Sequence, residues 1–144
     1  MLPFALALLL APAATTYGRY DLTIVVRNRG GLTVKYTGQS MDHGKLTVTD
    51  LARTVAPGSF GIMYGWMEAS GGSVDYEART KTKEGEQTRT YTLHLRVGAD
   101  RNEARCDSSG GDRILGKCTA TIEPKSCKGQ EDDCRIDIDL TFTK

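Results

Sequence analysis

This chain of 144 residues has few histidines and almost no net charge. Only two histidines are present, His43 and His94, so an enzyme that needs a pair of imidazoles has little choice of residues. Lysine and arginine total 19, and aspartate and glutamate total 18, so no net positive field attracts the protein to a nucleic acid. We therefore predict a recognition protein, not an enzyme, with no nucleic-acid partner.

Recognisable catalytic and metal-binding motifs are also missing. The residues from which a nuclease site could be assembled, without any specified geometry, are His43, Glu68, Arg79 and His94. The acidic run 131–133 offers the oxygen ligands that calcium prefers, but it lacks the spacing of a known calcium loop and is better interpreted as a solvated turn. We expect no catalytic residue, no metal and no cofactor.

Long apolar segments are missing after residue 13. Residues 1–13 form an apolar run that ends in an A-x-A-like cleavage site, and this run is far shorter than the ~20 residues that cross a bilayer. The pattern predicts a signal peptide over residues 1–13, and the alternative is a buried N-terminal strand or helix. Residues 14–144 are then predicted to form a single secreted domain.

All cysteines lie in the last third of the chain, and no two form a C-x-x-C pair. Behind a signal peptide, an even number with such spacing predicts disulfides instead of zinc ligation or redox chemistry. Three pairings are possible for two bonds, and the sequence does not choose among them. Our preferred pairing joins Cys106 to Cys118 and Cys127 to Cys134, because each bond would close a polar loop rich in glycine or aspartate.

Alternation of apolar and polar residues is the dominant pattern in the mature chain. It is clearest at Ile136, Ile138, Leu140 and Phe142. The same period of two appears in the segments 22–26, 32–36, 46–48 and 91–97. Glycine-rich turns separate these segments, the run 28–31 is expected to close an N-terminal hairpin, and no window has a sustained helical period. The sequence predicts an all-β, antiparallel β-sandwich with almost no helix, and a barrel is the alternative.

The segment 60–67 holds the only tryptophan, two further aromatic residues and two of the four methionines. Alternation divides it between one face with Phe60, Ile62, Tyr64 and Trp66 and an opposite face with Gly61, Met63, Gly65 and Met67. One interpretation is a central strand that is buried on both sides. The other is that Tyr64, Trp66 and Met67 reach the surface, where amphipathic aromatic side chains suit a lipid interface.

Several short elements between residues 17 and 78 resemble the aegerolysins, a family of small β-proteins. An aromatic residue, an alternating strand, a glycine turn and a second strand occupy residues 20–35, and His43-Gly44-Lys45 follows at the place of a Trp-Gly-Lys element. Residues 54–59 are similar to the family's hydrophobic-x-Pro-Gly turn, and residues 69–76 to its Ser/Gly-rich stretch. The sequence departs from the family in having a histidine in place of that tryptophan and in lacking a later Trp-x-Cys-Pro element.

The resemblance implies a β-sandwich that binds membrane lipids of the sphingolipid or sterol class, in some members with a perforin-like partner in a haemolytic, pore-forming complex. The lipid-binding residues that we predict are Tyr36, His43, Tyr64, Trp66, Met67, Arg79, Lys81 and Lys83. The aromatic members would insert or stack, and the basic members, which alternate on one polar face, would meet lipid phosphates. Glu84 and Glu86 follow these basic residues, so an ordinary solvated hairpin is the alternative for them.

A second hypothesis comes from a different class of protein. A secreted domain with two disulfides could act as an effector or inhibitor that binds a host or competitor protein, through a flat sandwich face or an unpaired edge strand. Binding to vesicles of one lipid class without a protein receptor would favour the lipid hypothesis.

Overall fold

The computed structural model describes residues 19–98, 101–111, 116–123 and 134–144. The predicted signal peptide and the acidic run 131–133 lie outside these ranges. The elements of the described part are β1 (Arg19–Asn28), β2 (Val34–Met41), β3 (Gly44–Val48), α1 (Asp50–Arg53), β4 (Thr54–Val55), β5 (Phe60–Glu68), β6 (Ser70–Thr82), β7 (Gly85–Val97), β8 (Glu103–Ser109), β9 (Lys117–Glu123) and β10 (Cys134–Thr143).

The strands form two five-stranded sheets. Sheet 1 has the order β3-β5-β1-β10-β9, and sheet 2 has the order β4-β2-β6-β7-β8. Their inward side chains form one apolar core between the two layers. The predicted all-β sandwich is therefore confirmed, and the helix content is as low as expected, because α1 has only four residues.

The period of two in the sequence determines which side chains enter this core. In β10, every second residue from Cys134 to Phe142 is buried, and the residues between them face outward. β1 follows the same pattern from Tyr20 to Asn28. The ring centroid of Phe142 lies 4.9 Å from that of Tyr91 in sheet 2, so aromatic packing joins the layers.

The connection between β1 and β2 differs from the prediction. β1 pairs with β5 and β10 in sheet 1, whereas β2 pairs with β4 and β6 in sheet 2, so the expected N-terminal hairpin at residues 28–31 was wrong. The buried Asn28 amide donates to the carbonyl oxygens of Leu32 and Val55, at 2.7 and 2.8 Å, and so holds the chain as it crosses between sheets. Among the described strand pairs, β1 with β10 is the parallel exception to the antiparallel arrangement.

The short helix α1 packs closely against β5. Gly61 of β5 is buried, and a Cβ at this position would collide with the backbone of Leu51 and Ala52. Thr49, which precedes the helix, donates its hydroxyl hydrogen to the carbonyl oxygen of Ile62 at 2.7 Å. Glycine is therefore required at position 61, because only it allows the helix to approach the strand.

A second buried hydrogen bond ties α1 to sheet 2. The Tyr76 hydroxyl donates to the carbonyl oxygen of Ala52 at 2.6 Å. Burial, and to a smaller extent the neighbouring Tyr36, raises the pKa of Tyr76 well above its ordinary value. The phenol therefore remains a neutral donor throughout the physiological range.

A disulfide closes one side of the sandwich. Cys106 in β8 and Cys118 in β9 are bonded, and their Cα atoms lie 5.6 Å apart. Because β8 is an edge of sheet 2 and β9 an edge of sheet 1, the bond links the two layers and confirms the first predicted pair. Cys134 is also disulfide-bonded. Cys127, its partner in our preferred pairing, lies outside the described residues.

Candidate functional site

Large apolar side chains are exposed in one region of the described part of the protein. The exposed fraction is 55% for Phe60, 38% for Ile62 and 52% for Tyr64 on the outward face of β5, and 71% for Leu51 on the adjacent helix. Trp66 continues the row and is partly buried. We call the row of Phe60, Ile62, Tyr64 and Trp66 the β5 surface. Scattered single exposures are normal in proteins, but a contiguous apolar row indicates a contact site.

Neighbouring strands present short side chains beside the middle of this row. β5 lies between β1 and β3, and the strand register places Thr23 on one side of Tyr64 and Thr47 on the other. Val25 lies opposite Ile62 and extends the apolar area toward β1. Because its neighbours on both sides are short, the Tyr64 ring projects from the sheet.

Positive charges lie at both ends of the β5 surface. The guanidinium carbon of Arg19 lies 4.5 Å from the centroid of the Trp66 ring, and that of Arg27 lies 6.0 Å from the Phe60 ring. Lys45 is exposed and lies opposite Trp66 in the strand register. Arg19 also lies 3.9 Å from Asp21, and Arg27 lies 3.4 Å from Asp139, so carboxylates partly offset the positive charge at both ends.

Three of the predicted lipid-binding residues lie on or beside this surface. Tyr64 and Trp66 belong to it. His43 is exposed in the turn between β2 and β3, and its carbonyl oxygen accepts a hydrogen bond from the backbone N–H of Glu68 at 2.9 Å. The histidine turn is thus fixed at the tryptophan end of β5.

Two other predicted residues do not lie on the β5 surface. Met67 is completely buried, because alternation directs it into the core on the side opposite Trp66, and its assignment to a lipid contact is corrected. Tyr36 is half-buried on sheet 2, where its ring packs edge-on against Tyr76 with centroids 5.9 Å apart. Its hydroxyl also accepts a hydrogen bond from the Gln39 amide at 2.9 Å. Tyr36 therefore packs against the apolar core.

The predicted basic residues lie elsewhere. Arg79 and Lys81 are exposed on β6 of sheet 2, and Lys83 is exposed in the turn that follows. Arg79 pairs with Glu77 at 2.9 Å and with Glu86 at 3.7 Å. The outward faces of the two sheets point in opposite directions, so these residues do not meet the same surface as Tyr64 and Trp66.

Sequence analysis missed part of the surface. Phe60 and Ile62 were placed on the correct face by alternation but were not selected as contacts. Arg19 and Arg27 could not be selected, because their positions above the aromatic rings depend on the pairing of β1 with β5. The alternation in segment 60–67 could have identified Phe60 and Ile62 as exposed. One face of the segment carries glycines and methionines that fit a core, so the opposite face, with the aromatic residues, is left to point outward.

A histidine–aspartate contact lies away from the β5 surface. His94 Nε2 lies 3.2 Å from Asp107 Oδ2 on the outward face of sheet 2. In the described ranges, no group of three or more histidine, cysteine, aspartate or glutamate side chains is placed to hold a metal ion. No helix there is long and apolar enough to cross a membrane.

Comparisons with known proteins bear on the fold. Neither a family model nor a curated protein matches this chain. Among solved structures, it is similar to the crystal structure of the lipid-binding protein Nakanori, with a TM-score of 0.62 over 99% of this chain and 78% of that chain. The two proteins share a fold. Their sequence identity is 8%, so the likeness to Nakanori establishes the architecture and leaves the ligand of this chain to be argued from its own residues.

Proposed function

We propose that this protein is a secreted membrane-lipid-binding protein and that the β5 surface is its contact with the membrane. The observation that carries the proposal is the position of the exposed apolar side chains. All large side chains of this kind in the described residues lie on the outward face of β5 or on the helix packed against it. A surface that only needed to be soluble would distribute such residues singly.

The expected binding is reversible. Complete burial of a large apolar side chain contributes about 1.5–3 kcal/mol, so three half-exposed side chains contribute several kcal/mol together. Basic residues near an anionic bilayer add about 1 kcal/mol each, and Lys45 lies beside the row. Arg19 and Arg27 add less, because Asp21 and Asp139 lie 3.9 and 3.4 Å from them. The total is in the range of a peripheral protein that adsorbs to the interface without crossing it.

Three further observations support the proposed class of ligand and the proposed secretion of the protein. The aegerolysin-like elements in residues 17–78 favour lipids of the sphingolipid or sterol class, with a perforin-like partner as the route to pore formation. The fold shared with the lipid-binding protein Nakanori is consistent with a lipid ligand. The apolar run 1–13 and the disulfide between Cys106 and Cys118 favour secretion, because disulfides persist in oxidising compartments.

Vesicle co-sedimentation tests the proposal. The purified protein is mixed with vesicles of phosphatidylcholine alone, with added phosphatidylserine, and with added sphingomyelin and cholesterol. We expect binding to at least one composition, and loss of that binding in the double variant Phe60→Ser/Tyr64→Ser. The control is Lys81→Gln, which changes an exposed residue on the outward face of sheet 2 and should bind like the wild type.

Two outcomes would contradict the proposal. Absence of binding to every vesicle would favour the second hypothesis, an effector or inhibitor with a protein target. Equal loss of binding in Lys81→Gln and in the double variant would show that the β5 surface is not the specific contact.

A further inference from the structure

A second feature of the protein lies between the sheets and not on an outward face. A cleft with a volume of about 400 Å³ is present where β1 and β10 end, and we call it the end cleft. Its apolar lining consists of Leu32, Val34, Ala78, Tyr91 and Phe142. Pockets for small ligands have volumes of roughly 300–1,000 Å³ and a mostly apolar lining, so the end cleft has the size and composition of a binding site.

The side chain of Tyr91 is part of the lining of this cleft. Tyr91 is 96% buried, since only 4% of it is exposed, and its hydroxyl makes no hydrogen bond to any described residue. Asn102 Nδ2 is the only side-chain atom in the described residues that is both fully enclosed and without a hydrogen-bond partner. The Tyr91 oxygen is therefore not fully enclosed, and since Tyr91 lines the cleft, this oxygen is reached from there. Burial raises the pKa of Tyr91, more strongly than the nearby Arg89 lowers it, so the phenol is a neutral donor. The Tyr91 hydroxyl can therefore donate a hydrogen bond to an acceptor on a molecule in the cleft.

The charge around the end cleft has one sign. Lys144 lines it, and the Lys144 Cε lies 4.0 Å from the position that a Cβ on Gly31 would occupy. Arg89 supports the wall by donating to the carbonyl oxygens of Gly116 and Gly110, both at 2.7 Å, and to the Ser108 hydroxyl at 2.8 Å. The lining contains no aspartate or glutamate in the part of the chain that the structure describes. An anionic group is therefore favoured there, and a cationic one is not.

We propose that the end cleft binds a free fatty acid, with its alkyl chain against the apolar lining and its carboxylate accepting a hydrogen bond from the Tyr91 hydroxyl. Lys144 provides the opposite charge at the rim. This site is separate from the β5 surface, and it does not depend on membrane binding. A fatty acid fits because it combines one apolar chain with one anionic acceptor, which are the two features that the cleft offers.

Calorimetric titration with dodecanoate, below its micelle concentration, tests the inference. We expect saturable binding of one dodecanoate and no binding of dodecyltrimethylammonium, which has the same chain and the opposite charge. Tyr91→Phe keeps the ring and removes the donor, so it should weaken dodecanoate binding about tenfold, the effect of losing a hydrogen bond to a charged group. Lys144→Gln should weaken it about twofold to fivefold, as expected for an exposed ion pair.

Further variants separate the end cleft from the β5 surface. Gly31→Leu adds a side chain beside Lys144 without backbone strain, and it should reduce dodecanoate binding by occupying the mouth. Trp66→Ala should retain dodecanoate binding even where its vesicle binding is reduced, and Lys81→Gln should bind dodecanoate like the wild type. The inference is overturned if the wild type does not bind dodecanoate, if Tyr91→Phe binds it equally well, or if dodecyltrimethylammonium binds as tightly.

Discussion

The guanidinium of Arg19 stacks over the ring of Trp66, with 4.5 Å between the guanidinium carbon and the ring centroid. Both residues are on the outward face of sheet 1, where β1 pairs with β5. The contact covers part of the ring, so Trp66 is less exposed than Phe60 and Tyr64 in the same row. It holds an aromatic ring and a positive charge together at one end of the β5 surface, where a lipid headgroup region would accept both.

We predict that Trp66→Ala separates lipid binding from stability. The cation–π contact contributes about 0.5–1 kcal/mol at an exposed site, so the free energy of unfolding should fall by less than about 2 kcal/mol. Vesicle binding should fall threefold or more, because the ring belongs to the proposed membrane contact. Thermal unfolding and co-sedimentation are measured on the same preparation. A loss of stability above about 4 kcal/mol would instead place Trp66 among core residues.

Met67→Ala should have the opposite effect. Met67 follows Trp66 in the sequence, but its side chain is completely buried. Truncation should therefore lower the free energy of unfolding by about 2–5 kcal/mol. Vesicle binding of the folded protein should be unchanged at a temperature well below the unfolding transition. Urea unfolding measures the first quantity and co-sedimentation the second. Reduced vesicle binding by a fully folded variant would restore Met67 to the lipid contact.

Gly61→Ala should destabilise the packing of α1. The added methyl group would collide with the backbone of Leu51 and Ala52, and overpacking of this kind typically costs about 1–3 kcal/mol. Gly38→Ala is the matched control, because no heavy atom lies within 4 Å of the position of its Cβ. Thermal unfolding of both variants gives the comparison. Equal stability of the two variants would mean that the helix can move away from β5 without loss.

Tyr76 should make the protein sensitive to high pH. Its raised pKa means that the folded state favours the neutral phenol, so this contribution to stability is complete below the unfolded-state pKa of about 10 and is lost as the pH rises above it. Urea unfolding between pH 8 and 11 should therefore show falling stability above pH 10. In Tyr76→Phe the stability should be lower at pH 8, by about 1–3 kcal/mol, because the Ala52 carbonyl loses its donor. The decline above pH 10 should then be smaller, and an equal decline in both proteins would exclude Tyr76 as its source.

The double variant Cys106→Ser/Cys118→Ser should lower the free energy of unfolding by about 2–3 kcal/mol, as expected for a bond that closes a short loop. The sequence separation of the two cysteines is 12 residues. Vesicle binding should remain, because β8 and β9 do not contribute to the β5 surface. Unfolding in urea, with the wild type as reference, measures the change. Unchanged stability would show that the two sheet edges hold together without the bond.

The sequence predicted the fold well because alternation is a local property. The burial of Ile136, Ile138 and Leu140 depends only on the period of a strand, and the absence of a helical period excluded long helices. The pairing of strands is not local. Nothing between residues 28 and 31 indicates that the chain changes sheets, and two glycines there imitate a hairpin turn.

The candidate surface could be predicted only in part for the same reason. The local pattern placed Tyr64 and Trp66 on an outward face, but it could not show that Arg79 lies on the other sheet. It also could not show that Arg19 covers Trp66, since this contact depends on a register between strands far apart in the sequence. Met67 was chosen for its nearness to Trp66 along the chain, although adjacent residues in a strand point in opposite directions.

The parallel pairing of β1 with β10 also has a consequence for how the protein is made. Arg27 and Asp139 contact each other across this pair, although they are 112 residues apart in sequence. A ribosome releases β1 long before β10 is synthesised, and contacts between such distant segments form slowly. During that interval one edge of β1 remains open to other nascent or newly released chains, with the aggregation hazard that an open edge carries. Completion of sheet 1 is therefore a late event in biosynthesis.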